Sequence, residues 1–315
     1  MPAVTTPFVT VVIQTHNRAQ LVPRALRSVL AQSDGDFRLL VIDDGSRDGT
    51  PAALAPFAGD PRLRLLVNET AQGTLPTRNR AVREADSEWL VFLDDDDELL
   101  PHYLERLRAL IAARAAAGVK LGLAWSSAER DYAGEPQRND IVRFGESWDG
   151  VQPYPHQGLL HFSTCWGVAA RREALLAVGG FDERVTGLGD IDLALRLAAN
   201  GTPYATLEEP LVRVHIGEGL SVSRGRTHHT AQRELLLRNN AAFLAAHPEL
   251  EAHYRRHAMS GFYREGDKAG GRRMAKALLR SGRLGGRGLE MLLRFELIEP
   301  LKRLLRGGQA RRQPA

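Results

Sequence analysis

The sequence is poor in cysteine and has no long apolar run. Cys165 is the single cysteine in 315 residues, which excludes an intramolecular disulfide and fits a reducing compartment. No stretch approaches the roughly 18 consecutive apolar residues of a membrane-spanning helix. Met1 leads through "PAVTTPF" into a strand-like segment without a charged or apolar leader, so no signal peptide is expected. No internal repeat is found, and only "RGGQARRQPA" reads as disordered. The C-terminal stretch has few aromatics and no recognised nucleic-acid motif, so no nucleic-acid partner is expected. A cytoplasmic protein is the expectation.

What is present is an ordinary globular composition, 43% apolar and 25% charged, with length enough for one large domain or two smaller ones. The charge is uneven. From Arg224 onward there are 20 Lys+Arg and 8 Asp+Glu, a net +12, whereas the remainder has 22 against 30, a net −8. An acidic body of residues 1–223 and a basic extension of residues 224–315 are therefore expected.

Within the body, apolar runs alternate with helical patterns. "FVTVVIQ" (Phe8–Gln14), Phe37–Ile42, Leu63–Val67 and "WLVFL" (Trp89–Leu93) read as strands, with helices near residues 21–30 and 78–85. This order predicts a parallel α/β sheet. A helix over 102–117, a strand in "LGLAWSS", and irregular binding loops over 127–160 are expected next. "RREALLAVGGFDE" and "DIDLALRLAANG" read as Gly-terminated helices, and "LVRVHI" as a late strand. Beyond Arg224 the pattern is helical, with breaks at Pro248, Gly270–Gly271, Gly285–Gly286 and Pro300.

Ligands bind such sheets beyond the carboxyl ends of the strands, and the polar clusters fall there. After "VFL" come Asp94, Asp95, Asp96 and Asp97. Four adjacent carboxylates repel one another. The run is either a solvated acidic turn or a site for a hard divalent cation holding phosphate oxygens. If strand geometry persists, Asp94 and Asp96 face the same side. Asp43–Asp44, in "VIDDGSRDGT", is either an Asx turn or an acceptor for nucleobase N–H or ribose hydroxyls. The Gly-rich basic phosphate loop of a nucleotidyltransferase is missing, "QTHNRAQ" standing in its place.

"VVIQTHNRAQLVPRALRSVLAQ", "VIDDGSRDGT", "TRNRAVREADSEWLVFLDDDDELLP", "GGFDE" and "GDIDLALRL" follow one another in order. Together they closely resemble the family 2 glycosyltransferases of GT-A fold, from about Val9 to Ser223. The resemblance implies a Rossmann-like, mostly parallel sheet with flanking helices, plus a C-terminal helical extension. It implies a metal-dependent, inverting transfer of a single sugar from a nucleotide-diphosphate sugar, UDP-sugars favoured, to a hydroxyl acceptor in surface or secondary glycan assembly. The alternative is a non-catalytic nucleotide-sugar-binding relative or scaffold.

Residue by residue, Gln14, Thr15, His16, Asn17 and Arg18 match the first nucleotide-binding motif, with His16 where the family usually has Tyr and placed to stack on the base. Asp43 and Asp44 match the base-contacting motif, and Arg78 the basic position near base and phosphates. Asp94 or Asp95 is the one expected nearer the ribose. Asp96, with Asp94, is the candidate ligand of Mn²⁺ or Mg²⁺, and His215 in "VRVHI" the candidate third ligand. Asp190 matches the general base, its other reading being a helix cap; Asp192 reads as structural. Trp166 is either a pocket wall or a core residue. Three departures stand out: Gln14 for the usual Pro, Gly189 for the acid before the base, and Val212 for the common Tyr. Gly189 bears most on the acceptor side.

The basic extension either packs its helices as a subdomain or draws the chain to anionic lipid at the inner face of the membrane, beside a lipid-linked acceptor.

Overall fold

The computed structural model describes residues 6–143, 166–217 and 230–298. Two compact units divide the chain, Met1–Ser223 and Arg224–Ala315.

The first unit is built on one nine-stranded sheet. Its strands are β1 (Val9–Thr15), β2 (Phe37–Asp43), β3 (Leu63–Val67), β4 (Trp89–Asp94), β5 (Glu98–Leu99), β6 (Leu123–Tyr132), β7 (Asp140–Val142), β8 (Trp166–Arg171) and β9 (Tyr204–Ile216). They are ordered β3-β2-β1-β4-β8-β6-β9-β5, with β7 paired to β6. The first four are mutually parallel; β8 then runs antiparallel to both β4 and β6, while β6 and β9 are parallel.

The helices are α1 (Val22–Leu30), α2 (Thr50–Leu54), α3 (Thr74–Glu84), α4 (Tyr103–Ala116), α5 (Arg172–Ala177) and α6 (Gly189–Ala199). Val9, Val11 and Ile13 of β1, Leu39 and Val41 of β2, and Val91 and Leu93 of β4 share one buried cluster with Leu26 and Val29 of α1 and Leu104 and Leu107 of α4. The alternate residues Val12, Leu40, Ile42, Leu90 and Phe92 are buried as well. Both faces of β1, β2 and β4 are therefore covered, which is why these strands read as continuous apolar runs, whereas β3 at the sheet edge leaves Leu65 and Val67 exposed.

Several expectations change. α3 begins at Thr74, one turn earlier than predicted, because Pro76 sits in the first turn, where its missing N–H costs no hydrogen bond. The region expected to be irregular from residue 127 continues β6 to Tyr132 and returns through β7, a pairing fixed by Ala128 opposite Val142. Residues 144–165, the rest of those expected loops, lie outside the described residues. β9 is thirteen residues long instead of six, with register shifts against β6 around Ser126–Ala128 that admit Pro210.

The second unit holds α7 (Thr230–Asn239), α8 (Ala241–Ala246), α9 (Pro248–Arg264), α10 (Lys268–Arg280) and α11 (Gly285–Leu293), continued by a π-helical turn, Arg294–Ile298. Pro248 opens α9, as a proline at the first helical position should. Gly270 and Gly271 do not break the chain. They lie buried inside α10, where a side chain on Gly271 would come within 2.7 Å of the Tyr263 ring of α9. Their smallness sets how closely the two helices approach. Pro300 and "RGGQARRQPA" fall outside the described residues. No helix among those described is long and apolar enough to cross a membrane.

Candidate active site

The parallel register brings three strand ends to one level. Gln14 lies opposite Ile42 on one side and Asp94 on the other, and Thr15 opposite Asp43. The loops that leave these strands line the carboxyl edge of the sheet. The Gln14 Oε1 atom is buried there without a hydrogen-bond partner among the described residues, an arrangement that favours a ligand donor.

After β1 the chain turns at Asn17, which adopts φ 54°, a left-handed conformation that asparagine tolerates. Its N–H donates to Ser46 Oγ (2.8 Å), and its Oδ1 accepts from the Arg47 N–H (2.8 Å). The exposed His16 ring is anchored to the Asp44 carbonyl through Nδ1 (2.7 Å) and to Asn17 Nδ2 through Nε2 (3.0 Å). Its face is left at the rim. Asp43 is buried and accepts the Ser46 N–H on Oδ1 (3.0 Å). Asp44 serves another purpose: its carboxylate accepts from Asn68 Nδ2 (2.6 Å), the Gln72 N–H (2.8 Å) and the Gly73 N–H (2.8 Å). It pins the loop that leads into α3.

β4 ends at Asp94, and the Asp97 N–H turns back onto the Asp94 carbonyl at 3.2 Å. The expected strand alternation stops there. The turn instead gathers one carboxylate oxygen from each of Asp94, Asp96 and Asp97 within 4.8 Å of one another. Burial, reinforced by Asp96 and Asp190 and opposed by Arg78, raises Asp94 to about 6. Asp95 is raised to about 7, chiefly by burial and then by Asp96 and Asp94, against the Thr15 hydroxyl and Arg18. Asp97 is raised well above the carboxylate range by burial and by Asp94 and Asp96.

A divalent cation would supply the positive charge this cluster is short of, and an all-oxygen donor set suits Mg²⁺ or Mn²⁺. Arg18 Nη1 stands 3.6 Å from Asp96 Oδ2, and Arg24 Nη2 donates to the Asp96 carbonyl at 2.6 Å. Arg24 carried no signal in the sequence, because its partner lies 72 residues away.

His215 is not brought into this cluster. Its imidazole lies 2.7 Å from Glu98 Oε1 through Nε2 and 3.5 Å from Asp131 Oδ2 through Nδ1. Its backbone N–H donates to Asp97 Oδ1 at 3.0 Å. It thus steadies the third carboxylate of the cluster from β9. Trp166, at the start of β8, is half-buried against the core and pairs with Leu93, one residue before the aspartates.

Arg78, on α3, links the two acidic sides. Nη2 donates to Asp94 Oδ1 at 3.0 Å and Nη1 to Asp190 Oδ1 at 2.7 Å, with the guanidinium buried near the Phe181 ring. Asp190 lies in the first turn of α6, whose N-cap position is Leu188, so the helix N-terminus favours its charge. Asp192 is fully buried and binds Arg196 (2.7 Å), a structural pairing.

A side chain on Gly189 would come within 2.5 Å of Leu75. The usual acidic position is thus closed by an apolar neighbour from α3. Asn79, one helix position beyond Arg78, grips the segment before α6: Oδ1 accepts the Phe181 N–H (2.8 Å) and Nδ2 donates to the Phe181 carbonyl and to Glu183 (both 2.9 Å). Its motif was visible in the sequence but its job was not.

The model of glycosyl transferase family 2 matches residues 10–178, over half of the chain. The chain belongs to glycosyl transferase family 2. A validoxylamine A glucosyltransferase of Streptomyces hygroscopicus subsp. jinggangensis is 30% identical over 277 residues, covering 79% of this chain and 64% of that protein. The family 2 chain therefore spans less than two thirds of that relative's length. Among solved structures, Staphylococcus aureus TarS residues 1–349, in complex with UDP, matches with TM-score 0.64 and 18% identity, over 81% of this chain and 74% of that one. The Pyrobaculum calidifontis mannosyltransferase PcManGT, in complex with GDP-Man and Mn²⁺, matches with TM-score 0.53 and 21% identity, over 98% and 81%. The fold of these glycosyltransferases, the GT-A fold, is the fold of this chain.

Proposed function

We propose that this chain is a metal-dependent, inverting glycosyltransferase that moves a single sugar from a nucleotide-diphosphate sugar, UDP-sugars first, to a hydroxyl acceptor. One observation carries the reading: the Arg78 guanidinium ties Asp94, a member of the acidic cluster, to Asp190 in the first turn of α6. A donor-side acid and a candidate base are thereby fixed one guanidinium apart.

In this reading Asp43 and the His16 face receive the base, with Gln14, Thr15, Asn17, Arg18 and Asp95 lining the nucleotide. Asp44 contributes by holding the loop beneath it. Asp94, Asp96 and Asp97 hold Mn²⁺ or Mg²⁺, which when bound neutralises charge on the diphosphate. His215 positions Asp97, and Trp166 walls the sugar side. Asp190 accepts the proton of the acceptor hydroxyl as that oxygen attacks the anomeric carbon; Arg78 keeps its carboxylate oriented. The Leu75 side chain beside Gly189 gives the acceptor side an apolar wall where an acid would otherwise stand. Work in the cytoplasm at the inner face of the membrane fits the +12 charge of the C-terminal extension and its exposed Leu289, Leu293 and Leu297. A surface or secondary glycan, on a sugar or lipid-linked acceptor, is the proposed product.

Calorimetric titration of UDP, GDP and dTDP, with and without Mn²⁺, tests the donor site in the native chain and in Asp96→Ala. Metal-dependent binding of one nucleotide, lost in the variant, is expected. Donor hydrolysis or transfer then separates an enzyme from a nucleotide-sugar-binding relative, which would bind and not turn over.

A further inference from the structure

The second unit contains a cavity of about 1150 Å³ that no part of the proposed activity uses. Its lining is strongly basic. Arg233 comes from α7, His253, Arg256, His257 and Arg264 from α9, and Arg287 from α11. Glu265 is the one carboxylate among the lining residues.

The site is shaped as well as charged. A side chain on Gly261 would overlap the Arg233 guanidinium, so a bare glycine on α9 makes the space in which that cation is held. Across the cavity, α11 opens on Gly285 and Gly286, and Gly285 takes φ 65°. Glycine backbone at the start of a helix leaves N–H groups open to an anion.

The recess also carries a positive potential. Burial lowers the His257 pKa, and Arg233, Arg256 and Arg264 push it down further. Burial and Arg264 likewise lower that of Arg233, against Glu265. Arg256 spends one Nη on the Arg283 carbonyl at 2.8 Å, while Arg264 and Arg287 form no ion pair among the described residues. Leu284 and Met291 supply an apolar wall.

We propose that this cavity is a binding site for a phosphate group, with Arg233 and Arg264 as its principal ligands and the Gly285–Gly286 turn as its backbone cradle. Guanidinium pairs match phosphate oxygens with forked donors, and four arginines around one carboxylate leave a net positive recess for a dianion. The site stands independently of the sugar-transfer chemistry, since it shares no residue with the candidate active site.

Two probes distinguish the source of the phosphate. The full chain is titrated with inorganic pyrophosphate in the presence of EDTA, and separately sedimented with phosphatidylcholine vesicles with and without phosphatidylglycerol. Binding of pyrophosphate alone assigns a free phosphate, and binding of the phosphatidylglycerol vesicles alone a lipid headgroup; either supports the site. Arg233→Gln and Arg264→Gln are each expected to weaken the bound probe about tenfold, as loss of a charge-assisted bond implies. Glu265→Gln is expected to tighten it, a direction that a misfolded variant cannot produce. Asp96→Ala should leave pyrophosphate binding unchanged, and its loss there would hand the probe to the aspartate cluster and overturn the proposal. Binding of neither probe, or equal binding by the native chain and Arg264→Gln, overturns it too.

Discussion

At Asp190 a single carboxylate has two neighbours that set its use: the Arg78 guanidinium at 2.7 Å and the α6 N-terminus. If it takes the acceptor proton, Asp190→Asn keeps the size and the Arg78 contact but loses the base. Turnover should fall about 10²–10⁴-fold, while calorimetry finds nucleotide binding little changed. Gly189 makes a different prediction. Adding a methyl there runs into Leu75, so Gly189→Ala should cost about 1–3 kcal/mol of stability, the usual range for overpacking. In a Leu75→Ala background the cost should shrink toward zero, and a urea double-mutant cycle measures the difference. An unchanged penalty in that background would place the strain elsewhere. Gln14, Thr15, Asp43 and Asp94 lie at the carboxyl ends of β1, β2 and β4, whereas Arg78 and Asp190 reach the same edge from helices. Arg24 and Asn79 did not show their work, because their partners stand 72 and 102 residues away. Only folding brings those pairs together. Strand alternation alone would put Asp94 and Asp96 on one side, whereas the turn after Asp94 gathers oxygens of Asp94, Asp96 and Asp97.

At the scale of elements, β1, β2 and β4 were legible because burial on both faces writes itself as unbroken apolar runs such as "VTVVIQT" and "FRLLVID". β9 was legible only over its second half, Leu211–Ile216, because "TLEEP" before it is polar and holds a proline. What makes it a strand is its pairing with β6, through a bulge that spares Pro210 an N–H. The break expected at Gly270–Gly271 instead falls inside α10, since paired glycines usually end helices and here permit contact. Gly271→Ala should therefore destabilise the second unit by about 1–3 kcal/mol, although alanine is the better helix former. Hydrogen exchange resolved to α9 and α10 would show protection lost there, with the sheet amides unaffected. The clamp between α3 and the segment before α6 predicts an element-level effect as well. Asn79→Ala leaves the Phe181 backbone groups unpartnered, at a cost of about 1–3 kcal/mol. It also frees the segment that leads to Asp190, so turnover should fall more than donor affinity.

For the molecule as a whole, the aspartate cluster couples stability to pH and to divalent cations. Asp94 and Asp95 titrate near 6 and near 7 in the folded chain, both above the ordinary value of 3.8. Carboxylates raised in this way bind more protons folded than unfolded through the interval between those values. Unfolding free energy from these groups therefore falls as pH rises from about 4 toward 7, the opposite of a salt-bridged aspartate. A cation held by Asp94, Asp96 and Asp97 competes with the proton on Asp94 and removes the repulsion. Manganese should thus raise Tm clearly at pH 7.5, by the stabilisation of about 2.7 kcal/mol that a ligand at a hundred times its Kd provides. At pH 5 the same concentration should raise it much less, because Asp94 is then largely protonated. Thermal unfolding at the two pH values, with manganese and with EDTA, measures the difference. In Asp96→Ala the manganese shift should vanish at pH 7.5. A shift of equal size at both pH values, or one that survives Asp96→Ala, would mean that the cation binds elsewhere on the chain.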